Sequence, residues 1–237
     1  MSDALERTSD TLRRAKAHVF VTDLAVPVLE RDDAHHLGRV LRLRDGETVT
    51  ASDGAGRWRT CEWQGGELIA TGDVTLDPRP APRVTVAIAP LKGDRTDWTV
   101  EKLVEIGVAR IVVLAPLLRS VVRRDAGKDS VALVRWQRLA RAAAMQSRRT
   151  HLAEVSGPTA LRDVAGLAGA GIAEPGGEAR PEDVEVLLIG PEGGFDRSEI
   201  ALAREAGART VDLGPGILRA ETAALVGAAR MVAHTTR

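Results

Sequence analysis

Two glycine-rich turns are the places where this sequence could bind a ligand. The first lies in LLIGPEGGFDRSEI (residues 187–200), where an apolar run ends at Gly190. Pro191 fixes one φ angle, while Gly193 and Gly194 allow a ligand to approach the backbone. A loop that leads from a parallel strand into a helix is a common ligand position in α/β domains. Taken alone, the stretch predicts a binding site and a bare tight turn about equally.

The residue types of this turn argue against a phosphate ligand. A P-loop requires Lys and then Ser or Thr after its last glycine, whereas Phe195 and Asp196 follow here. The dinucleotide fingerprint requires three glycines at a spacing that GPEGG lacks. The carboxylate of Glu192 would also repel phosphate. A ligand that has a positive centre and hydrogen-bond donors on its ring edges fits better.

A second stretch, LGPGILRAETAAL (residues 213–225), repeats the order strand, glycine turn, helix. Two such turns from two strands can lie side by side and form one pocket, which favours a ligand site over a bare turn. The helix that follows is rich in alanine and glycine. Small residues allow a helix to pack very close to a neighbour, either in a knotted core or at a dimer interface.

Charge and composition restrict the class of protein. The formal net charge of the 237 residues is zero, but residues 92–149 carry 13 basic and 6 acidic side chains. This segment predicts either a local contact with a polyanion or a basic face neutralised by acidic loops elsewhere. The single cysteine, Cys61, excludes an internal disulfide and favours a cytoplasmic location. We expect no metal site, no secretory signal and no membrane helix.

The proline-rich stretch DPRPAPR (residues 77–83) divides the chain into two predicted domains. Short strand-like runs separated by glycine turns predict a small β-barrel in residues 1–76, with about the first 12 residues disordered. After the linker, apolar strands alternate with helices, which predicts an α/β domain with a parallel sheet in residues 84–237. Helices are expected at 33–41, 94–106, 130–149, 196–206 and 219–234.

The two glycine turns together resemble the signature of the RsmE-type RNA methyltransferases of the SPOUT superfamily. Further motifs follow in the family's order. HHLGRVLRLRDGETV and DGAG resemble its N-terminal PUA-like barrel, and LKGDRTDWTVEKLVEIGVARIVVL, RSVV, RW and QSRR resemble the middle of its catalytic domain. The resemblance covers residues 14–235. Met145 departs from it, since the family often has Glu there, which puts in question a polar network through this position.

The resemblance implies a SPOUT fold with a parallel sheet and a C-terminal trefoil knot. The threading of the chain through the knot could not be predicted from sequence periodicity. It further implies a homodimer that binds S-adenosylmethionine in the knot and methylates uridine N3 in the decoding region of 16S ribosomal RNA, within the small ribosomal subunit. The cofactor residues that it implies are Ile172, Ala173, Leu188, Gly190, Pro191, Gly193, Gly194, Leu213, Gly214, Ile217, Leu218 and Thr222.

Methylation of uridine N3 requires that a weakly acidic proton leaves the ring. A carboxylate could accept the proton, or a cation could stabilise the negative charge that develops on the ring oxygens. Glu192 and Glu221 are the candidate carboxylates, and Arg219 is the candidate cation. Each also has a simpler interpretation. An acidic side chain near the start of a helix interacts favourably with the helix dipole, and an arginine can bind RNA phosphate.

Further basic residues stand at motif positions and on one face of a predicted helix, and we expect some of them to contact RNA. The candidates are Arg39, Arg42, Arg44, Lys92, Arg95, Arg119, Arg135 and Arg149. Two alternatives stay open at this stage: a SPOUT methyltransferase with another RNA target, and a non-catalytic factor that binds RNA or assists ribosome assembly.

Overall fold

The computed structural model describes residues 10–79, 81, 83–123 and 125–235. It divides into two compact units. The first unit comprises the residues up to 79 together with 144–152, and the second comprises residues 80–143 and 153–237. The predicted disorder of about the first 12 residues falls mostly on residues 1–9, which lie outside the described ranges. Residues 10–14 are helical, and Leu12 is buried.

The first unit is built on a five-stranded sheet in which β1, β2, β3 and β4 lie in that order and β5 pairs with β3. β1 and β2 are parallel, and the remaining pairs are antiparallel. A short helix, α1 (Arg31–His35), is continued by one π-helical segment (His36–Val40) between β1 and β2. The strands are β1 (Ala17–Phe20), β2 (Thr48–Ser52), β3 (Arg57–Gln64), β4 (Glu67–Ala70) and β5 (Thr75–Leu76).

Residues 144–152 belong to the first unit, which corrects the predicted domain boundary. Arg148 donates hydrogen bonds to the carbonyls of Ala15 and Lys16, each at 3.0 Å. The Thr150 carbonyl accepts a hydrogen bond from Ser52 Oγ at 2.8 Å, and Met145 packs against this unit's core. The sequence order placed the segment in the second domain because only packing reveals which core a stretch of chain joins.

The second unit contains a six-stranded sheet in which every neighbouring pair is parallel, in the order β11-β9-β10-β6-β7-β8. All four residues of β6 and of β10 are buried, as expected for strands covered on both faces. The predicted α/β domain with a parallel sheet is therefore confirmed. The strands are β6 (Thr85–Ile88), β7 (Arg110–Leu114), β8 (Glu154–Thr159), β9 (Ala170–Ala173), β10 (Val186–Ile189) and β11 (Arg209–Val211).

The helices of the second unit follow the predicted order, but both ends of the helix predicted at 130–149 move, to Ala126 and Gln146, and two short elements are added. The added helices are α4 and a 3-10 turn at Pro181–Asp183, and strand β8 was also missed. α3 ends before Arg148, which adopts a positive φ of 59°. The α-helices are α2 (Arg95–Ile106), α3 (Ala126–Gln146), α4 (Leu161–Ala165), α5 (Arg197–Glu205) and α6 (Ala220–Thr235). None of the helices in the described ranges is long and apolar enough to cross a membrane.

The last helix, α6, packs directly on the central strand β10. A Cβ atom added to Gly227 of α6 would lie only 2.2 Å from Cδ2 of Leu187, a residue of β10 that is itself completely buried. The absence of a side chain at this position therefore sets how closely the helix approaches the sheet. This explains one of the small residues noted in the sequence without requiring a dimer interface there.

His18 of β1 is a buried titratable group in the first unit. Its Nδ1 is hydrogen-bonded with Thr50 Oγ1 at 2.8 Å, and its Nε2 has no partner among the described residues. Burial, together with the positive charge of Arg148, lowers the pKa of His18 to about 4. The imidazole is thus neutral in the folded protein at physiological pH.

We expect the change Gly227→Val to destabilise the protein by about 1–3 kcal/mol, because the new side chain overlaps a fully buried leucine in a close-packed core. Ala229→Val, on an exposed position of the same helix, is the matched control and should change stability by about 0.5 kcal/mol or less. Urea unfolding measures both variants. Equal midpoints for the two would contradict the close contact of α6 with β10.

We expect acid to destabilise the protein partly through His18. The unfolded chain binds a proton on this residue near pH 6.5, whereas the folded chain does so only near pH 4. The free energy of unfolding therefore falls as the pH drops through this window, by about 3 kcal/mol from this group. His18→Gln should lose correspondingly less stability between pH 7 and pH 4 in urea unfolding. The same pH dependence in variant and wild type would refute this assignment.

Candidate functional site

A cavity of about 330 Å³ opens where strands β9, β10 and β11 end at their carboxyl edge. Because these three strands are parallel neighbours, the turns that follow them leave the sheet on the same side. The start of α6 adds a further wall. The principal lining residues are Ala173, Glu174, Pro175, Ile189, Gly190, Pro191, Glu192, Gly193, Gly194, Phe195, Asp212, Leu213, Gly214, Gly216, Ile217, Leu218, Ala220 and Ala223, joined by Arg119.

The first glycine turn, residues 190–195, is compact for identifiable reasons. The Gly194 N–H donates to the Pro191 carbonyl at 2.8 Å, and Gly194 has a φ of 69°. A Cβ atom on Gly190 would lie 3.1 Å from the backbone nitrogen of Phe195, so a side chain there would force the turn open. The turn then enters α5 through a capping box, in which the Asp196 carboxylate accepts from Ser198 N and Glu199 accepts from Asp196 N.

The second glycine turn, residues 212–218, is more open. Gly214 has a φ of 138°, and its N–H donates to the Asp212 carboxylate at 3.3 Å. A Cβ atom on Gly216 would meet no other atom within 4 Å. The side chain of Ile217 is 85% exposed although it lines the cavity, so an apolar surface is available to a ligand at this point.

Nine of the twelve predicted cofactor residues line this cavity, and three do not. Ile172 and Leu188 are completely buried in the hydrophobic core of the second unit, and Thr222 is exposed in the first turn of α6. Side chains of successive strand residues point to opposite faces of the sheet, so the last residues of β9 and β10, Ala173 and Ile189, line the cavity while the residues before them face the core. The lining residues that the sequence did not predict as cofactor contacts include Glu174, Pro175, Ile189, Phe195, Asp212 and Gly216.

Glu192, predicted as a catalytic carboxylate, is held in the wall of the cavity. Its Oε1 accepts hydrogen bonds from the backbone N–H of Lys92 at 2.9 Å and from Arg95 Nη2 at 2.8 Å. Burial alone would raise the pKa of Glu192, but the Lys92 N–H and the charges of Arg95 and Lys92 hold it below its usual value. Such a carboxylate stays ionised and is a weak proton acceptor.

Glu221, the second predicted carboxylate, begins α6 beside the cavity without lining it. Its side chain is 12% exposed, and its Oε1 lies 3.8 Å from Arg95 Nη1. Its Oε2 is buried and has no hydrogen-bond partner among the described residues. The structure thus brings Glu192 and Glu221 to one guanidinium, that of Arg95, which the sequence had assigned to RNA.

Arg219, the predicted catalytic cation, immediately precedes α6 and is exposed. Its carbonyl accepts a hydrogen bond from Ala223 N at 2.8 Å, which fixes the backbone at this position. Within the described residues its guanidinium forms no ion pair. It directly follows Leu218, which lines the cavity, although Arg219 itself is not among the described lining residues.

Three of the arginines predicted to contact RNA also have partners or burial within the protein, although Arg119 and Arg135 remain exposed. Arg119 donates to the Gly193 carbonyl and to Asp196, each at 3.1 Å, and therefore holds the first glycine turn. Arg135 pairs with Asp97. Arg149 is largely buried in the first unit, where burial lowers its pKa to about 10. The charge pattern indicated cationic side chains but could not show which acids lie opposite them.

The remaining RNA candidates are exposed. Arg39, Arg42 and Arg44 lie on the surface of the first unit, and the side chain of Lys92 is exposed in the second. Across the residues that the structure describes, no group of three or more His, Cys, Asp or Glu side chains is arranged to hold a metal ion. Burial raises the pKa of the Cys61 thiol to about 11, so this cysteine is not an activated nucleophile.

Comparison with known proteins agrees with the fold. A sequence model of an RNA methyltransferase domain matches residues 78–232, and one of an RNA methyltransferase PUA domain matches residues 29–65. The ribosomal RNA small subunit methyltransferase E of Mycobacterium bovis is 32% identical over 232 residues, which cover 90% of this chain and 88% of that protein. The protein of the same name from Synechocystis is 34% identical and covers 87% and 73%.

Solved structures give the same result. A methyltransferase from Legionella pneumophila in complex with S-adenosylmethionine superimposes with a TM-score of 0.80 at 27% identity, over 93% of this chain and 98% of that one. The ribosomal RNA small subunit methyltransferase E of Neisseria gonorrhoeae, bound to S-adenosylmethionine, gives 0.74 at 27% identity, over 91% and 96%. The chain therefore belongs to the RNA methyltransferase family, among the proteins called ribosomal RNA small subunit methyltransferase E.

Proposed function

We propose that this protein is an S-adenosylmethionine-dependent methyltransferase that modifies N3 of a uridine in the decoding region of 16S ribosomal RNA. The observation that carries the proposal is the cavity between the two glycine turns. Its volume is within the range of small-molecule sites, and two relatives of similar structure bind S-adenosylmethionine. We assign the cofactor to this cavity, with backbone groups of both turns reading the adenine edge.

The electrostatics of the cavity support a cationic ligand. Glu174, Glu192 and Asp212 line it, whereas Arg119 is the one basic side chain among the described residues of the lining. The charge of Arg119 is also partly neutralised, because it pairs with Asp196. A negative lining favours a sulfonium centre and disfavours a phosphate-bearing cofactor. The absence of a lysine from the glycine turns has the same explanation.

Bound S-adenosylmethionine would supply an electrophilic methyl group to uridine N3; the carbon–sulfur bond would break to release S-adenosylhomocysteine, and the N3 proton would pass to a carboxylate base. The glycine turns hold the reacting groups close together, and positioning of this kind lowers the barrier substantially. Arg219, which directly follows Leu218, stabilises the negative charge that develops on the uracil oxygens. Glu192 is already engaged by Lys92 and Arg95, so it is the weaker candidate for proton acceptor.

The remaining proposals rest on the family resemblance. They are a trefoil knot in the C-terminal segment, a homodimer, a cytoplasmic location and action on RNA within the small ribosomal subunit. The exposed arginines at positions 39, 42 and 44 of the first unit are the proposed RNA contacts outside the catalytic unit. These arginines lie within residues 29–65, which match an RNA methyltransferase PUA domain, and this match supports the assignment.

The function is tested by mass spectrometry of ribosomal RNA from a deletion strain. We expect loss of N3-methyluridine from 16S RNA and its return when the purified protein and S-adenosylmethionine are added to the mutant's small subunits. Loss of a different modified nucleoside would indicate another RNA target. An unchanged nucleoside profile together with intact binding of RNA would indicate a non-catalytic factor and would overturn the proposal.

We expect Arg219→Ala to retain affinity for S-adenosylmethionine and to lose methyl transfer by about 100-fold or more, the effect typical of removing one donor that stabilises developing negative charge. Calorimetry measures the first quantity, and transfer of a radioactive methyl group to unmodified small subunits measures the second. Arg162→Ala, an exposed arginine on α4, is the matched control. Turnover at the wild-type rate in Arg219→Ala would remove this residue from the mechanism.

We expect Gly216→Leu to weaken binding of S-adenosylmethionine at least 10-fold while leaving the unfolding midpoint unchanged. The new side chain would contact no protein atom at its Cβ, and Gly216 borders the cavity, so the leucine would occupy ligand space. Calorimetry and thermal unfolding of the unliganded protein separate the two effects. Unchanged affinity would show that the cofactor does not lie against the second turn.

A further inference from the structure

Arg95, the first residue of α2, lies at the junction of three loops of the second unit. Its Nε donates to the Lys92 carbonyl at 3.1 Å, in the loop that follows β6. Its Nη2 donates to Glu192 of the first glycine turn at 2.8 Å, and its Nη1 lies 3.8 Å from Glu221, just beyond the second turn. One guanidinium therefore contacts groups from the segments that follow β6, β10 and β11.

The bond to Glu192 is reinforced from the backbone. The same Oε1 that accepts from Arg95 also accepts from the Lys92 N–H at 2.9 Å. Because β6 and β10 are adjacent parallel strands, these bonds tie the turn after β10 to the neighbouring loop at the same edge of the sheet. Glu192 also lines the cavity, so the tie fixes one wall of the proposed cofactor site.

The contact with Glu221 extends the same link to the other wall. Glu221 follows Ala220, a lining residue, and lies two positions beyond Arg219. The Oε2 atom of Glu221 is buried without a hydrogen-bond partner among the described residues. Arg95 is the basic residue that forms an ion pair with this carboxylate. Loss of Arg95 would leave a mostly buried carboxylate uncompensated, which is costly in a poorly hydrated position.

We propose that Arg95 is a positioning residue that holds the two glycine turns at a fixed separation by bridging Glu192 and Glu221. This assignment replaces the RNA contact predicted for Arg95, and it gives Glu192 a structural role in the cavity wall. It rests on the proposed function insofar as the cavity holds S-adenosylmethionine. A planar guanidinium suits the task because its donors reach several acceptors at fixed angles, which an ammonium cannot do.

The test compares Arg95→Ala, Arg95→Lys, Glu192→Ala and the double change Arg95→Ala with Glu192→Ala, with Arg162→Ala as the control for removal of one surface arginine. Affinity for S-adenosylmethionine is measured by calorimetry without RNA. We expect each alanine variant to lose at least 10-fold, and Arg95→Lys to recover part of that loss. The double variant should be much less impaired than the product of the two single effects, because both changes break the same bond.

A second readout needs no ligand. Hydrogen exchange of the Lys92 amide, followed by NMR in the unliganded protein, should accelerate in Glu192→Ala and, to a smaller degree, in Arg95→Ala. Affinity within twofold of wild type in Arg95→Ala, or multiplicative losses in the double variant, would overturn the bridging role. If wild-type protein fails to bind S-adenosylmethionine while the Lys92 amide still responds, the proposed function fails and the bridge stands.

Discussion

The convergence of three turns at one edge of a buried parallel sheet is the constraint on which the site depends. β9, β10 and β11 are neighbours in parallel register, so their carboxyl ends must meet on the same side. The first turn is tight, because a Cβ atom on Gly190 would lie 3.1 Å from the backbone nitrogen of Phe195, whereas the second turn is more open. α6 can cover this sheet closely because Gly227 presents no side chain to Leu187. The position of the cavity therefore follows both from the order of the strands and from the close packing of α6 on the sheet.

Arginine has two uses in the second unit, and the structure separates them. Arg95 and Arg119 hold the first glycine turn from two sides, through Glu192 and through the Gly193 carbonyl with Asp196. Arg219 forms no ion pair within the described ranges and is exposed next to Leu218, which lines the cavity. Residues with internal partners serve the shape of the site, while an unpaired guanidinium can act on a substrate. Such ion pairs show how a basic residue of this segment can be matched by an acid from a distant part of the chain.

The segment 144–152 also contains arginines that form contacts within the protein. It resembles the middle of the family's catalytic domain in sequence, yet it packs with the first unit. Arg148 closes the end of α3 by donating to the Met145 carbonyl and also bonds the chain near Ala15. Arg149 is largely buried near Asp77, which opposes the lowering of its pKa by burial. The two arginines of the QSRR motif, Arg148 and Arg149, thus have a structural explanation that does not require RNA.

The sequence by itself determined the class of fold, the order of nearly all long elements and the two turns that border the cavity. Those features depend on local signals: apolar runs, glycine positions and a capping box. It missed β8 and α4, which are short elements with weak patterns, and it assigned residues 144–152 to the wrong core. Only the tertiary structure decided that Ile172 and Leu188 are core residues and that Arg95 and Arg119 hold a loop. The physical reason is that a charge or an apolar side chain acquires its role from the groups packed against it, and those groups come from distant parts of the chain.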